Sequence, residues 1–490
     1  MKILLVYPGY IVREVPLNIM YVSAALTKHN NETKLFHFSK FKDPQWLTGT
    51  KERIIKDFRK TMEEFNPEIV GFSVMVQDYL LTKELTKIVK TEYNRYTVWG
   101  GIEPILEPER CLSEPYVDFV CTGEGERVFP ELVEKLVKNE SNLQIKGIWY
   151  KDSQGQIIKT GRPSLIENLD EVPFPDRDLF PSEYYKAELT GANILTSRGC
   201  PFPCTHCQNK KLMEIFKDEG TFVRYRSLEN IFAEMREIID KYDSPSFYMS
   251  DEMFTLNKKR VLEFCSEYPN VICRPFMVQT RVDYFDDEVA SALSKAGCFM
   301  VNLAIESGND FLRCDVLNKK ISREQIKNAF QTAKKYGLKT ASYNMIGIPG
   351  ETIETIKETI NINREVKPDR IMCSIYMPLP GTELGEQCEQ QKIIQRSVYE
   401  TTNYYNQAIL NLKGIRQRTL IGYQGFFDYY VSLPYWSYPA IHLIRIVYEI
   451  VVSPKLPDYQ PLVKIRESFI EIIYKSKNFL PGKHFHVYKR

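Results

Sequence analysis

Asn193-Ile194-Leu195-Thr196-Ser197-Arg198-Gly199-Cys200-Pro201-Phe202-Pro203-Cys204-Thr205-His206-Cys207 is the stretch that decides the architecture. A short β-rich run, Asn193–Thr196, feeds without a break into Ser197-Arg198-Gly199 and then a C-x3-C-x2-C loop. Three thiolates on one tight loop can hold three irons of a [4Fe–4S] cluster, because soft thiolates suit iron–sulfur. The fourth iron is then open to a substrate or cofactor. A zinc site with His206 as stand-in ligand and chance clustering are the competing readings. Structural zinc wants two ligand pairs, and no second C-x2-C exists here.

Downstream of the loop, apolar strand patterns alternate with helical ones. Candidate strands are Asn193–Thr196, Ser246–Ser250, Phe276–Thr280, Met300–Ala304, Thr340–Ile346 and Arg370–Tyr376, with helices such as Leu228–Lys241 and Glu324–Tyr336 between them. Six β/α units suit an incomplete barrel better than a doubly wound sheet. Polar residues recur where these strands end: Ser250-Asp251-Glu252, Gln279-Thr280-Arg281, Glu306-Ser307-Gly308 and Gly347-Ile348-Pro349-Gly350-Glu351. Each taken alone has a bland reading, an ion pair for Arg281 or Glu306 and a turn for the glycines. Their shared place at strand ends is what a barrel active site requires.

Upstream, residues 1–145 read as βαβ units. Strands are expected at Ile3–Tyr7, Lys34–Phe38, Glu68–Val74, Tyr96–Trp99 and Phe119–Cys121, with helices at Leu17–Lys28 and Lys51–Phe65. Ligands of such sheets bind at the carboxyl ends of strands, here the loops near Pro8, Ser73, Gly100 and Gly123. A hairpin, Gly147–Lys151 with Ile157–Lys159, and a proline-rich linker, Leu169–Pro181, separate the two halves.

The whole chain has 490 residues, 43% hydrophobic and 26% charged, which suits two or three globular domains and excludes a mainly disordered chain. Sixty-five basic residues against 63 acidic ones give +2, too even for a general nucleic-acid binder. Eleven scattered or clustered cysteines, no signal-peptide pattern and no uncharged run of spanning length imply a cytoplasmic protein with reduced thiols.

The cysteine loop with its polar strand ends resembles the radical S-adenosylmethionine (SAM) superfamily. That resemblance implies that Cys200, Cys204 and Cys207 ligate the cluster and that the open iron chelates SAM. Reductive cleavage then yields methionine and a 5′-deoxyadenosyl radical. Implied SAM contacts are Asp251 and Glu252 at the amino group, Gln279 and Arg281 at the ribose and carboxylate, and Glu306 and Ser307. Gly347, Ile348 and Pro349 fall on the adenine-contacting segment. His206 departs from the aromatic residue usual before the last cysteine. A redox-sensing cluster protein is the non-enzymatic alternative, and it leaves the strand-end motifs unexplained.

Residues 1–145 resemble the cobalamin-binding domain of one branch of that superfamily, through Pro16–Leu26, Gly71-Phe72-Ser73, Gly100-Gly101 and Asp118–Glu126 (DFVCTGEGE), with LDEVPFP (Leu169–Pro175) as the linker. Implied corrin contacts are Pro8, Leu17, Ser73, Val74, Gly100, Gly101, Gly123 and Glu124. No D-x-H-x-x-G motif is present, and His29 and His37 lie in other contexts, so cobalt is expected without a protein histidine. A domain retained without corrin is the alternative. A tRNA methylthiotransferase would need a second set of cluster cysteines, and only Cys111 and Cys121 are available.

The expected architecture is α/β: a Rossmann-like cobalamin-binding domain (1–145), a hairpin and linker (146–190), a partial (β/α)6 radical SAM barrel (191–385) and a mainly helical, aromatic-rich C-terminal region (386–490). The resemblance implies cobalamin-dependent methyl transfer to an unactivated carbon. Ring formation, ring contraction or carbon–carbon coupling is the alternative. Expected partners are a small-molecule or lipid substrate and an electron donor such as a flavodoxin or ferredoxin. Tyr376, near the last barrel strand, reads as a weak catalytic candidate or a core tyrosine. In Tyr438–Val452, His442, Arg445 and Glu449 make one narrow polar stripe on an apolar helix beside Tyr435 and Trp436. Residues 411–490 hold 12 Lys/Arg against 5 Asp/Glu. That combination suits peripheral membrane association, or a helix packed on its own protein with a solvated basic face.

Overall fold

The computed structural model describes residues 1–11, 15–39, 51–140, 143–186, 191–400 and 407–451. These form two compact units, Met1–Phe202 with Gln208–Asp251, and Pro203–Cys207 with the described part of Glu252–Arg490.

The first unit is built on strands β1 (Lys2–Ile11), β2 (Glu32–Ser39), β3 (Ile69–Ser73), β4 (Tyr96–Gly100), β5 (Phe119–Cys121), β6 (Ile148–Lys151) and β7 (Ile157–Ile158), in the order β2-β1-β3-β4-β5-β6-β7. The first five are parallel, and the β6–β7 hairpin extends the sheet antiparallel. β3 is buried at every position, as a strand covered on both faces must be. The order 2-1-3-4-5 places a topological switch between β1 and β3, and such sheets bind ligands outside the carboxyl ends there.

Two expectations change. β1 continues past Tyr7 to Ile11 with a register shift between Tyr7 and Tyr10, so Pro8 lies within a strand and not in a loop. The irregularity accommodates a residue that cannot donate to a ladder. The linker also does more than space two domains. Arg177 in it is 4% exposed and donates to the Asn193 carbonyl at 2.8 Å and the Glu234 carboxylate at 2.6 Å. Glu234 also binds Arg226 at 2.5 Å, and the Tyr185 hydroxyl donates to the Arg177 carbonyl at 2.8 Å. The linker is therefore fastened to the unit by buried charge.

The remaining strands of this unit are β8 (Ala192–Ile194), β9 (Ser197–Arg198), β10 (Arg224–Tyr225) and β11 (Phe247–Met249). β8 and β11 pair in parallel, and β9 and β10 pair antiparallel with Arg224 opposite Arg198.

The second unit contains β12 (Phe276–Thr280), β13 (Cys298–Glu306), β14 (Lys339–Ile346) and β15 (Arg370–Ile375), all parallel and ordered as they occur along the chain. All six strands expected after residue 190 are present. Helices Lys258–Val271, Asp287–Lys295, Arg323–Lys335 and Ile353–Val366 alternate with the strands of this unit. The start of Arg323–Lys335 is fixed by a reciprocal Ser322/Gln325 capping box. Helix Gln417–Ser432 buries Leu420, Tyr423, Phe426 and Phe427 in the same core cluster as Ile346, Ile375 and Tyr376. The aromatic-rich stretch is thus partly core.

Removing one partner from a buried pair leaves an uncompensated charge. Arg177→Ala is expected to cost about 3–5 kcal/mol, read as a shift in chemical unfolding of this unit.

Candidate functional site

In the first unit the cysteine loop is approached through Thr196 and Ser197, and one carboxylate fixes both. Asp251, fully buried just beyond β11, accepts from Thr196 N at 2.9 Å, Thr196 Oγ1 at 3.0 Å and Ser197 Oγ at 2.5 Å. The next residue, Arg198, points to the N-terminal sheet. Its guanidinium donates to Glu124 at 2.7 Å and Glu126 at 2.6 Å, and Arg224 reaches Glu124 at 2.9 Å. Two arginines opposite each other across β9 and β10 would repel, so Glu124 between them is what makes the pairing tolerable. Burial alone would raise the Glu124 carboxyl, but hydrogen bonding from Arg224 and the charge of Arg198 hold it below the ordinary range. Glu124 also accepts from Ile166 N at 2.7 Å.

At the carboxyl ends of β3 and β4, Ser73, Val74, Gly100 and Gly101 are brought together. Asn18, beside Leu17 at the start of helix Leu17–Lys28, donates to Ser73 Oγ at 2.9 Å. Val74 N donates to the Gly100 carbonyl at 2.7 Å. Gly101 has φ +100°, and a Cβ there would stand 3.0 Å from Val74 N and O, so only glycine lets these two backbone segments pack this closely. Val6 pairs with Phe72, which puts Pro8 level with Val74. Gly123 and Glu124 are engaged elsewhere: a Cβ on Gly123 would lie 2.2 Å from Pro163, and Glu124 serves the arginines. His29 pairs with Glu134, and His37 packs against Phe180 and Tyr184. Asp78, in the turn after β3, has its carboxyl pushed up to about 7 by burial.

In the second unit Cys204 is 9% exposed, and the loop around it is stapled to residues 316–318. Thr205 Oγ1 donates to the Val316 carbonyl at 2.6 Å, Thr205 N to Leu317 at 3.2 Å, and Asn318 Nδ2 to Pro203 at 3.1 Å. Arg281, forked onto Asp283 at 3.0 Å, places Nη1 4.0 Å from Cys204 Sγ. Glu306 ends β13 in the left-handed region at φ +64°, a conformation that persists only where surroundings enforce it. Here the enforcing partner is Lys319, 4% exposed, at 3.0 Å. Burial opposes the Glu306 charge, but Lys319 outweighs it and holds the carboxyl low. Burial pushes the Cys204 thiol up and His206 down.

Further along the same unit, Ser307 is fully buried and its carbonyl accepts from Arg313 at 2.7 Å. Gly308 N donates to Thr359 at 2.9 Å. Gly347 and Ile348 both donate from their backbone nitrogens to Glu351, whose carboxyl burial pushes up to about 8. Gln279 takes part through its carbonyl, which accepts from Phe254 N at 3.1 Å, and Glu252 is exposed. Tyr376 is 2% exposed and lies in the same core cluster as Cys388, a packing environment.

A family model described as the radical SAM superfamily matches residues 194–362, and one described as a B12 binding domain matches residues 4–133. An uncharacterized methyltransferase of Pyrococcus horikoshii is 32% identical over 399 residues, 79% of this chain and 83% of that one. The chain belongs to the radical SAM superfamily, in the branch with a B12-binding domain. A second relative of this enzyme family, the cytidylyl-2-hydroxyethylphosphonate methyltransferase of Streptomyces wedmorensis, is 26% identical and covers 82% of each chain. The fold is that of the radical SAM methyltransferase TsrM of Kitasatospora setae, solved with cobalamin and a [4Fe–4S] cluster: TM-score 0.62, 19% identity, covering 81% of this chain and 76% of that one.

A cluster, SAM and cobalamin follow from this membership, and the residues present fit them. All described cysteines are free thiols. Among the described residues no three His, Cys, Asp or Glu side chains converge on a single ion.

The residues that sequence reasoning missed are partners at long range. Lys319 lies 13 positions from Glu306 in an irregular stretch and carries no pattern. Arg198 had a signal, since it sits two residues before Cys200.

Glu351 tests the rigidity of the Gly347–Ile348 turn. Its folded carboxyl is raised above the ordinary 4.5, so its contribution is present below that value and lost as pH rises through about 8. Glu351→Gln should abolish this dependence, leaving wild type less stable than the variant by a few kcal/mol, on that order, at high pH; melting curves across pH read it.

Proposed function

We propose that the protein is a cobalamin-dependent radical SAM methyltransferase that methylates an unactivated carbon of a small-molecule or lipid substrate. The observation that carries this is the Arg198 network. The residue two before the first cluster cysteine is ion-paired to Glu124, which ends the loop after β5 of the B12-binding sheet, and to Glu126 in the first turn of the helix Gly125–Val137 that follows. A chain that kept the N-terminal domain only as a spacer would have no reason to bury charge between that loop and the cysteine loop. The proposed division is 1–145 for the cobalamin domain, 146–190 for hairpin and linker, 191–385 for the barrel and 386–490 for the C-terminal region.

Cys200, Cys204 and Cys207 would hold the cluster. Asp251, Glu252, Gln279, Arg281, Glu306, Ser307, Gly347, Ile348 and Pro349 would surround SAM. Pro8, Leu17, Ser73, Val74, Gly100 and Gly101 would receive the corrin, with Gly123 and Glu124 supporting from their packed positions. When bound, the cluster and SAM supply one-electron cleavage and hydrogen abstraction, and the corrin supplies a methyl carrier.

The chain's own contribution is positioning and electrostatics. Asp251 orients Thr196 and Ser197 ahead of the cysteines. Arg281 keeps a positive charge beside Cys204, where thiolate charge collects. Lys319 keeps Glu306 ionised and aimed, as a carboxylate must be to bind a cationic or hydroxyl group of a ligand. Glu351 locks the Gly347–Ile348 backbone, and the missing Cβ of Gly347 lets that turn pack against Ile375 and Leu420. Burial of these groups excludes water from reactive species. A flavodoxin or ferredoxin would deliver electrons one at a time.

Anaerobic reconstitution with hydroxocobalamin, iron and sulfide tests the reading. About four irons and one cobalt per chain are expected, with 5′-deoxyadenosine and S-adenosylhomocysteine both formed. Cys204→Ala should lose both products, and retention of either by that variant overturns the assignment. Iron and 5′-deoxyadenosine without cobalt or S-adenosylhomocysteine would overturn the methyl-transfer part alone.

A further inference from the structure

Helix Tyr438–Val451 has its polarity reversed from that of an ordinary surface helix. Arg445 and Glu449 of the polar stripe face inward against helix Gln417–Ser432, with His442 at its exposed edge. Arg445 binds the Glu449 carboxylate, donates from Nε to the Tyr430 hydroxyl at 3.1 Å, and lies 3.0 Å from His442 Nδ1. Its guanidinium sits 4.3 Å from the Tyr423 ring centroid. Thr419 donates to Glu449 at 3.3 Å. Gly422 gives Glu449 room to enter, since a Cβ there would stand 2.5 Å from Glu449 Oε1. Arg445 and Glu449 are 4% and 7% exposed. Rotating the helix would break this pair inside the protein, so its orientation is fixed.

The opposite face is therefore held outward, and it is apolar. Leu443, Ile444, Val447 and Ile450 are 43–64% exposed, and Trp436 at the head of the helix is 83% exposed. No charged side chain of the helix is available to that face. A contiguous exposed apolar patch marks an interaction surface. With 14 residues the helix is too short to cross a bilayer, and no described helix is long and apolar enough to do so. The 39 residues after Val451 carry eight Lys/Arg against three Asp/Glu.

We propose that this face docks on an anionic lipid bilayer, with the helix lying in the interfacial plane. The charge of the following sequence selects the occupant. Two copies of this chain meeting face to face would bring two basic tails together, whereas an anionic surface is complementary to one. Trp436 stands where an interfacial aromatic anchors at headgroup level. The inference is independent of the cofactor reading, because none of these residues belongs to the proposed site.

Cosedimentation of the full-length protein with vesicles tests it. The protein should bind phosphatidylglycerol/phosphatidylcholine vesicles, bind pure phosphatidylcholine more weakly, and release from the former as salt rises. Leu443→Glu with Val447→Glu should lower partitioning about tenfold or more, at an unchanged melting temperature because both positions are exposed. Trp436→Phe gives a second readout. Tryptophan emission of the wild type should shift to the blue on vesicle binding, and the variant should lack that shift. Failure of the wild type to bind anionic vesicles overturns the proposal, as does unchanged binding by the double variant. A wild-type dimer that the double variant converts to monomer, with no vesicle binding, assigns the face to a second copy instead.

Discussion

A partly buried guanidinium calls for a counter-charge, and in this protein Arg198 imposes that requirement on the strand that begins the cysteine run. Its partners are Glu124, from the loop after β5, and Glu126, from the first turn of the helix that follows, while Arg224 opposite it on β10 needs Glu124 as well. Each carboxylate is bound in a fixed geometry, and none can be removed without stranding a charge in a poorly solvated place. The loop that follows the B12-binding sheet and the strand that leads to Cys200 are consequently set by one electrostatic constraint.

The same physics recurs through the site. Asp251 is satisfied by three donors at the approach to the cysteines, Glu306 by Lys319, and Glu351 by two backbone nitrogens. Each is a carboxylate at the end of a parallel strand, and each fixes a loop whose backbone has little regular structure of its own. Within the second unit, parallel strands carry the loops of Glu306 and Glu351 to one edge of the sheet. Preorganisation of this kind suits chemistry that must keep a radical away from water and from the wrong bond.

Much of this was readable without coordinates. The C-x3-C-x2-C loop and the six apolar strand runs showed themselves, because strand burial writes itself into local sequence. Three things did not. β1 runs through Pro8-Gly9, where a proline ordinarily argues against a strand, because a register irregularity absorbs it. The arginine partners of Glu124, which the family resemblance makes a corrin contact, lie 74 and 100 residues away. The polar stripe of Tyr438–Val451 was visible, but its inward direction depends on a glycine at position 422 of a neighbouring helix. Long-range pairing leaves no periodicity to read.

The central claim is that the Arg198 network fixes the B12-binding loop to the strand that leads into Cys200. Loading of both cofactors in Arg198→Ala, compared with wild type at equal folded fraction by circular dichroism, tests it most directly. The account predicts that iron and cobalt occupancy fall together in the variant. Wild-type occupancy of both, or loss of one with the other intact, would contradict it.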